Sequence, residues 1–231
     1  MNRVFREEKK FLIDLSTFIS KSHQLSQVMM EDPHNGANGY KVRSLYFDTP
    51  FDVDYFEKQA GIETRRKIRL RVYDPQADFA FLEMKQKQGA QQLKRSLKMT
   101  QADAQRLIHL DYTPLLRYEE TFAVEMYAMM QTRGYRPRTI VEYDRKAFIG
   151  KENKIRITFD HNIVATESSM ELFDEHLVMN PVLDPADVVL EVKFNGFLLS
   201  YMKEMLENID KSELSVSKYV LARQQSYLTH I

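Results

Sequence analysis

The chain of 231 residues carries 33 Lys and Arg against 33 Asp and Glu, and this zero net charge argues against a general nucleic-acid binder, which would be basic overall. It contains no Cys, which excludes disulfides, a catalytic thiolate and Cys-ligated zinc. With 43% hydrophobic and 29% charged residues the composition is that of an ordered globular protein, and we expect a single domain over 1–231.

Strands and helices are predicted from different signals. Apolar and polar residues that alternate with period two predict strands. Thr49-Pro50 and Thr113-Pro114 are typical of helix starts, and Gly61 and Gly134 of helix ends. In chain order we predict strand 4–13, helix 15–30, a loop over 31–39, strand 40–47, helix 50–60, strands 65–73, 79–87 and 93–99, a helix opened by a capping box at Thr100 and Asp103, helix 114–133, strands 138–148, 154–160 and 188–194, and helices 197–209 and 216–228.

Several of the predicted strands pair one charged face with one apolar face. Side chains alternate between the two faces of a strand. In "TRRKIRLRVY" (64–73) one face therefore carries four cations, Arg65, Lys67, Arg69 and Arg71. The same alternation groups charged residues on five other strands: Arg6, Glu8 and Lys10; Lys41 and Arg43; Glu83, Lys85 and Lys87; Arg156; and Glu191 and Lys193.

Eight strands are enough to close, so we predict an α+β fold: an antiparallel eight-stranded closed β-barrel covered by helices. The helices are rich in Met, Leu and Phe and would cover the apolar faces, which leaves the charged faces to line the interior. Many buried like charges need counter-charges, so a basic lumen should be wet and hold a polyanion. A charged face that is simply solvated is the alternative reading for any one strand.

Phosphate chains fit this interpretation. Arg and Lys bind phosphate oxygens, and isolated Glu residues among them suit a divalent cation that bridges phosphates. The chain has no GxxxxGK[ST] loop, so side chains would have to hold a triphosphate. The six His are scattered, which makes a His metal site or a His-centred triad improbable.

Eight collinear segments resemble the VTC (vacuolar transporter chaperone) domain, a branch of the triphosphate tunnel metalloenzyme or CYTH-like superfamily. They are "RxExK" (6–10), "YKVRSLYFDTP" (40–50), "RRKIRLRVY" (65–73), "LEMKQK" (82–87), "YDRKAF" (143–148), "RITFD" (156–160), "VLEVKFNG" (189–196) and "SVSKY" (215–219). The resemblance implies a triphosphate tunnel and an ATP-dependent polyphosphate polymerase that needs Mn²⁺ or Mg²⁺.

The resemblance also assigns site residues. The catalytic candidates are Lys10, Arg69, Arg71, Lys193 and Lys218. The further phosphate-binding candidates are Arg65, Lys67, Lys85, Lys94, Arg145, Arg156 and Ser217. Glu191 corresponds to the metal-binding glutamate, and Glu8 and Glu83 are either further metal ligands or partners that hold Lys and Arg in place, the commoner role.

Phosphoryl transfer of this kind asks the protein mainly for positioning and charge stabilisation, so no nucleophilic Ser or Cys is required. Two alternatives stay open: a triphosphatase of the same superfamily, and a non-enzymatic module that binds polyphosphate or inositol phosphates. Relatives with triphosphatase activity more often begin with "ExExK", and Arg6 therefore favours the polymerase. The expected ligands are ATP and polyphosphate or pyrophosphate, with no nucleic acid.

Other acidic residues have structural interpretations. We expect Asp48 to be the end-of-strand partner of a helix cap and Asp160 to be a turn residue. The charged start of the chain does not fit a signal peptide, and no apolar run approaches the roughly 20 residues that span a bilayer. A soluble cytoplasmic protein is expected, with a membrane protein as a candidate partner.

Overall fold

The computed structural model describes residues 6–89, 91–207 and 217–229. The strands are β1 (Arg6–Asp14), β2 (Met30–Glu31), β3 (Tyr40–Asp48), β4 (Thr64–Val72), β5 (Phe79–Gln88), β6 (Gln91–Thr100), β7 (Arg136–Ile149), β8 (Arg156–Thr166), β9 (Asn180–Pro181) and β10 (Asp187–Asn195). The helices are α1 (Leu15–Val28), α2 (Val53–Gln59), α3 (Gln101–Ile108), a 3-10 helix (Thr113–Arg117), α4 (Thr121–Thr132), α5 (Ser200–Glu207) and α6 (Lys218–Thr229).

All eight predicted strands are confirmed, and β2 and β9 are additional strands of two residues each. The predicted helix 50–60 begins only at Val53, because Asp52 before it has a left-handed backbone with a φ of 53°, and the Thr49 hydroxyl accepts from the Val53 amide. The predicted helix 114–133 is interrupted, since the 3-10 helix ends at Arg117 and α4 starts at Thr121. The parts of the predicted elements at 4–5, 208–209 and 216 lie outside the described residues.

The α+β class and the antiparallel sheet are confirmed. The long strands follow the order β1-β10-β8-β7-β3-β4-β5-β6, with β2 beside β7 and β9 beside β8. Among the described residues no pairing joins β1 to β6, so the closed barrel is not confirmed.

The chain divides into two compact units, each with its own core. The first unit comprises the described residues of 1–41, 143–163 and 183–217. Its buried side chains come from the apolar faces of β8 and β10 and from the helices α1 and α5: Ile157, Phe159, Leu190, Val192, Leu25 and Met202. Complete burial of each such side chain contributes about 1.5–3 kcal/mol.

The second unit comprises the described residues of 42–142, 164–182 and 218–231. Its strands β3 to β6 pair in sequence order and put one apolar row, Leu45, Leu70, Leu82 and Leu97, under α3 and α4. Thr100 caps α3 through the amide of Asp103, as the capping box predicts. The opposite face of the same strands is therefore left to the charged residues.

The prediction that Arg43 shares the charged face is wrong. Arg43 pairs with Val72 across β3 and β4, which places it on the apolar face. Its guanidinium is buried there and donates to Glu142 at 2.6 Å and to the carbonyls of Leu172 and Asp174. The carboxylate of Glu142 and these two carbonyls offset the cost of burying this charge.

Candidate active site

The first charged cluster lies in the first unit and balances four cations with four carboxylates: Lys10, Arg145, Arg156 and Lys193 with Glu8, Asp32, Asp160 and Glu191. It starts from the register of β1 and β10, in which Lys10 lies opposite Glu191 and Glu8 lies opposite Lys193. Residues directly opposite each other in an antiparallel pair share a face, so each cation has a carboxylate beside it. The Lys10 Nζ lies 3.1 Å from Glu8 Oε1 and 3.8 Å from Glu191 Oε1, and the Lys193 Nζ lies 3.0 Å from the same Glu191 oxygen.

These contacts fix the charge states of the three central residues. Burial opposes the ionisation of Glu191, but Lys10 and Lys193 hold its pKa well below the usual range. Burial by itself would lower the pKa of Lys10, yet Glu191 and Glu8 raise it above the ordinary value. Burial lowers the pKa of Lys193, because the attraction of Glu191 and Glu8 offsets it only in part. Glu191 is consequently a carboxylate at neutral pH.

Asp160 is not a turn residue, and that prediction is wrong. It lies inside β8 and is fully buried. Both of its oxygens accept from Arg145, at 2.6 Å and 2.7 Å, and the Arg145 Nη2 lies 4.0 Å from Glu191. This bidentate pair fixes the Arg145 guanidinium beside the metal-ligand candidate.

Arg156 is held by the loop at 31–39. One nitrogen, Nη2, donates to Asp32 at 2.7 Å and to the Tyr40 hydroxyl at 3.0 Å. The Asn35 side chain anchors the loop by exchanging two hydrogen bonds with the backbone of Ala147. Gly39 has a φ of 93°, and a Cβ there would lie 2.3 Å from the Arg145 carbonyl oxygen, so the close approach of loop and strand requires glycine.

The second charged cluster lies in the second unit and is strongly basic. Among the described residues it comprises seven cations and one carboxylate: Arg65, Lys67, Arg69, Arg71, Lys85, Lys94, Lys218 and Glu83. Glu83 lies opposite Arg69 in the register of β4 and β5. It accepts from the Arg69 Nε at 2.8 Å, lies 2.5 Å from the Lys94 Nζ and 3.7 Å from the Arg71 Nη1.

The pKa of Glu83 is lowered to about 2, because Arg69, Arg71 and Lys94 outweigh the burial that opposes its ionisation. Of the two roles predicted for Glu83, these contacts favour that of a partner that holds Lys and Arg in place. Its carboxylate is saturated by cations, which leaves little room for a metal ion.

Lysines of three adjacent strands lie directly opposite one another. The register pairs Lys67 with Lys85 and Lys85 with Lys94. Like charges at directly opposite positions destabilise a sheet. Next to them, Arg65 donates to the carbonyl of Ile62 at 2.6 Å. A row of this kind is favourable when an anion lies against it.

Lys218 is the first residue of α6, and its charge helps to lower the pKa of Tyr46. The helix is fixed at this point by Tyr219, whose hydroxyl donates to Asp48 at 2.6 Å. Asp48 also accepts from the amides of Asp54 and Tyr55 at the start of α2, which confirms its prediction as the end-of-strand partner of a helix cap. Ser217 is buried, and residues 215 and 216 of the motif lie outside the described residues.

Among the described residues, Glu191 and Glu8 are the best candidates to hold a divalent metal. In the described ranges no group of three or more His, Asp and Glu side chains forms a ready metal site. Glu8 and Glu191, however, both lie beside the Lys10 ammonium, with one oxygen of each at 3.1 Å and 3.8 Å from its Nζ. Two carboxylates suit Mg²⁺ or Mn²⁺, ions that take remaining ligands from water and substrate phosphates. The pair Glu191 and Glu8 is therefore the candidate metal centre.

Tyr46 belongs to the second cluster and was missed by sequence reasoning. It lies opposite Arg69 in the register, and its hydroxyl accepts from the Arg69 Nη1 at 3.1 Å. The alternation in "YKVRSLYF" indicates the face of Tyr46, since position 46 has the opposite parity to Leu45 and Phe47. Tyr46 was missed because an aromatic side chain adds no charge to the pattern of the charged face.

Comparisons with known proteins agree with this description. A family profile described as "VTC domain" matches residues 5–227. A search of curated proteins finds no match. A solved structure titled "putative adenylate cyclase" from Bacillus halodurans superposes with a TM-score of 0.52 at 13% identity, covering 92% of this chain and 95% of that one. The PH1012 protein from Pyrococcus horikoshii OT3 superposes with a TM-score of 0.50 at 10% identity, covering 94% and 98%.

At these identities the two structures share the fold with this chain, and nothing further follows from them.

The helices were also compared with the length and hydropathy that a membrane span requires. Across 6–89, 91–207 and 217–229, no helix is both long and apolar enough to cross a bilayer.

Proposed function

The chain belongs to the VTC domain family, and from that membership we propose that it is an ATP-dependent polyphosphate polymerase. The observation that carries the proposal is the second charged cluster, where seven cations accompany one carboxylate. Side chains of this kind bind a polyanion of several phosphates, and Arg and Lys are the residues suited to it.

In the proposed reaction an oxygen of the terminal phosphate of a polyphosphate chain attacks the γ-phosphorus of ATP. The bond between that phosphorus and the oxygen that bridges to the β-phosphate breaks, and ADP leaves with the electron pair. The polyphosphate chain gains one phosphate. Such a transfer is accelerated by positioning and by stabilisation of charge on the phosphate oxygens.

Arg69, Arg71, Lys94 and Lys218 would bind the phosphates that carry this charge. The guanidinium of Arg69 is already fixed by Glu83 and Tyr46, and so little side-chain entropy remains to be lost on binding. In the first cluster, Lys10 and Lys193 would contact phosphate oxygens as well, and Arg145 is fixed beside them by Asp160.

Glu191, with Glu8, would hold Mn²⁺ or Mg²⁺, which when bound neutralises phosphate charge. Because Glu191 stays ionised at neutral pH, it needs no deprotonation to bind a metal.

The polymerase is tested by incubating the purified protein with ATP and Mn²⁺ and resolving the products on a polyphosphate gel. The variant Arg69→Ala should lose the products. Arg106→Ala is the matched control, because Arg106 forms an exposed ion pair with Asp111 outside both clusters. Long chains from the parent protein and from Arg106→Ala, but not from Arg69→Ala, are the expected result.

Two other results would replace the proposal. Orthophosphate without chains, from ATP or inorganic triphosphate, would make the protein a triphosphatase. Tight polyphosphate binding without turnover would make it a binding module, in which case Glu191→Gln should bind more tightly, because a negative charge next to the polyanion is removed.

A further inference from the structure

Tyr46 is almost completely buried, with 5% of its surface exposed, yet its hydroxyl lies among cations. The oxygen accepts from the Arg69 Nη1 at 3.1 Å, and in the described part of the chain this is the hydroxyl's one hydrogen bond. A phenol has one proton to donate and two lone pairs to accept with. The contact with Arg69 uses a lone pair, so the proton of Tyr46 is still available for an acceptor.

The ring around this hydroxyl is fixed. It stacks on Tyr219 with a centroid distance of 5.1 Å and an interplanar angle of 24°. Tyr219 is in turn anchored to Asp48 through its own hydroxyl. The two stacked tyrosines therefore differ in one respect: the Tyr219 hydroxyl donates to Asp48, whereas no acceptor for the Tyr46 hydroxyl is found among the described residues.

We propose that the Tyr46 hydroxyl donates a hydrogen bond to a phosphate oxygen of the bound triphosphate. This assignment rests on the proposed function, since it requires a phosphate chain at the second charged cluster. The Tyr46 hydroxyl would lie beside Arg69 and bind the same phosphate chain. A buried hydroxyl that lacks an acceptor is costly, and a phosphate oxygen removes that cost.

The electrostatics around the residue support a donor role. Burial opposes ionisation of Tyr46, but Arg69, Arg71 and Lys218 lower its pKa below the ordinary value. A more acidic phenol is a stronger hydrogen-bond donor, and its bond to an ionised acceptor is among the strong ones.

Tyr46→Phe removes the oxygen and keeps the ring on Tyr219. Calorimetric titration of the full chain with inorganic tripolyphosphate should show affinity weakened about tenfold or more, since hydrogen bonds to charged groups have that magnitude. Tyr135→Phe is the matched control: its buried hydroxyl is bonded to Asp54, at 2.9 Å and 3.1 Å. It should lower the Tm and leave the affinity unchanged.

A double-mutant cycle separates direct contact from an indirect effect through Arg69. If Tyr46 contacts the phosphate, Tyr46→Phe weakens binding by a similar factor in the parent and in Arg69→Ala. If it only orients Arg69, its effect disappears in Arg69→Ala, and the assignment is wrong. Unchanged binding by Tyr46→Phe would overturn this assignment alone, whereas a parent protein that binds no tripolyphosphate would overturn the proposed function with it.

Discussion

Replacement of Glu83 by Gln tests the electrostatics of the second charged cluster. The side chain is 6% exposed and contacts Arg69, Arg71 and Lys94. Its pKa is about 2 in the folded chain against an ordinary value of 4.5, a difference that corresponds to about 3 kcal/mol. The substitution Glu83→Gln leaves three neighbouring cations without their shared counter-charge, so we expect the free energy of unfolding at pH 7 to fall by about that amount.

The pH dependence gives this prediction its sign. A carboxylate whose pKa is depressed by folding stabilises the protein above its unfolded pKa, and that stabilisation is lost as pH falls from about 4.5 toward about 2. The parent protein should therefore approach the stability of Glu83→Gln in acid. Urea unfolding followed from pH 7 to pH 3 measures the difference.

Glu125→Gln is the control for a surface ion pair. Glu125 pairs with Arg95 but is 44% exposed, so its replacement should cost less than about 1 kcal/mol. Equal urea midpoints for the parent and Glu83→Gln at pH 7 would refute the reasoning. So would a difference in stability between the two proteins that does not become smaller in acid.

Tripolyphosphate should also bind more tightly to Glu83→Gln, because the cations no longer share a carboxylate. Weaker metal-dependent binding would instead make Glu83 a metal ligand.

Three further variants test the buried parts of the fold. Asp160→Asn leaves Arg145 buried without its bidentate partner and should lower the free energy of unfolding by about 3 kcal/mol, measured by urea unfolding. Burial, with a neighbouring carboxylate, raises the pKa of Asp54 to about 7, so the parent should lose about 3 kcal/mol as pH rises from 4 to 7, and Asp54→Asn should abolish that slope. Gly39→Ala puts a Cβ 2.3 Å from a carbonyl oxygen and should lower the Tm far more than Gly61→Ala, where the φ is also positive but nothing lies within 4 Å.

Much of the sheet could be predicted, because period-two alternation states which residues share a face. It predicted β4 and β5 with their charged rows, and the register then placed Arg69 opposite Glu83. Two predictions were wrong: that Arg43 lies on the charged face, and that Asp160 is a turn residue. Arg43 has the parity of Leu45 and Phe47, which shows the apolar face, but its charge suggested the other face. Asp160 follows an apolar strand, and the pairing of β8 with β10, which places Val189 opposite Asp160, shows that the strand continues through it.

The contacts that hold the site in place could not be predicted from local pattern. The loop at 31–39 supplies Asp32 to Arg156, a contact between residues far apart in the chain, and its turn residues indicate only that a loop exists. Tyr46 and Tyr219 likewise come together from distant segments. Sequence patterns report on neighbours along an element, whereas these residues act across elements.

The two clusters differ in charge, and that difference assigns them different chemistry. The first has four cations and four carboxylates and is balanced before any ligand binds, so an added cation is tolerated mainly where carboxylates adjoin, at Glu191 and Glu8. The second has seven cations and one carboxylate, and its lysines lie opposite one another. Like charges at facing positions repel, and a bound polyanion would reduce that repulsion. Under the proposed function we therefore expect the second cluster to supply most of the phosphate contacts, and Glu191 with Glu8 in the first cluster to hold the metal.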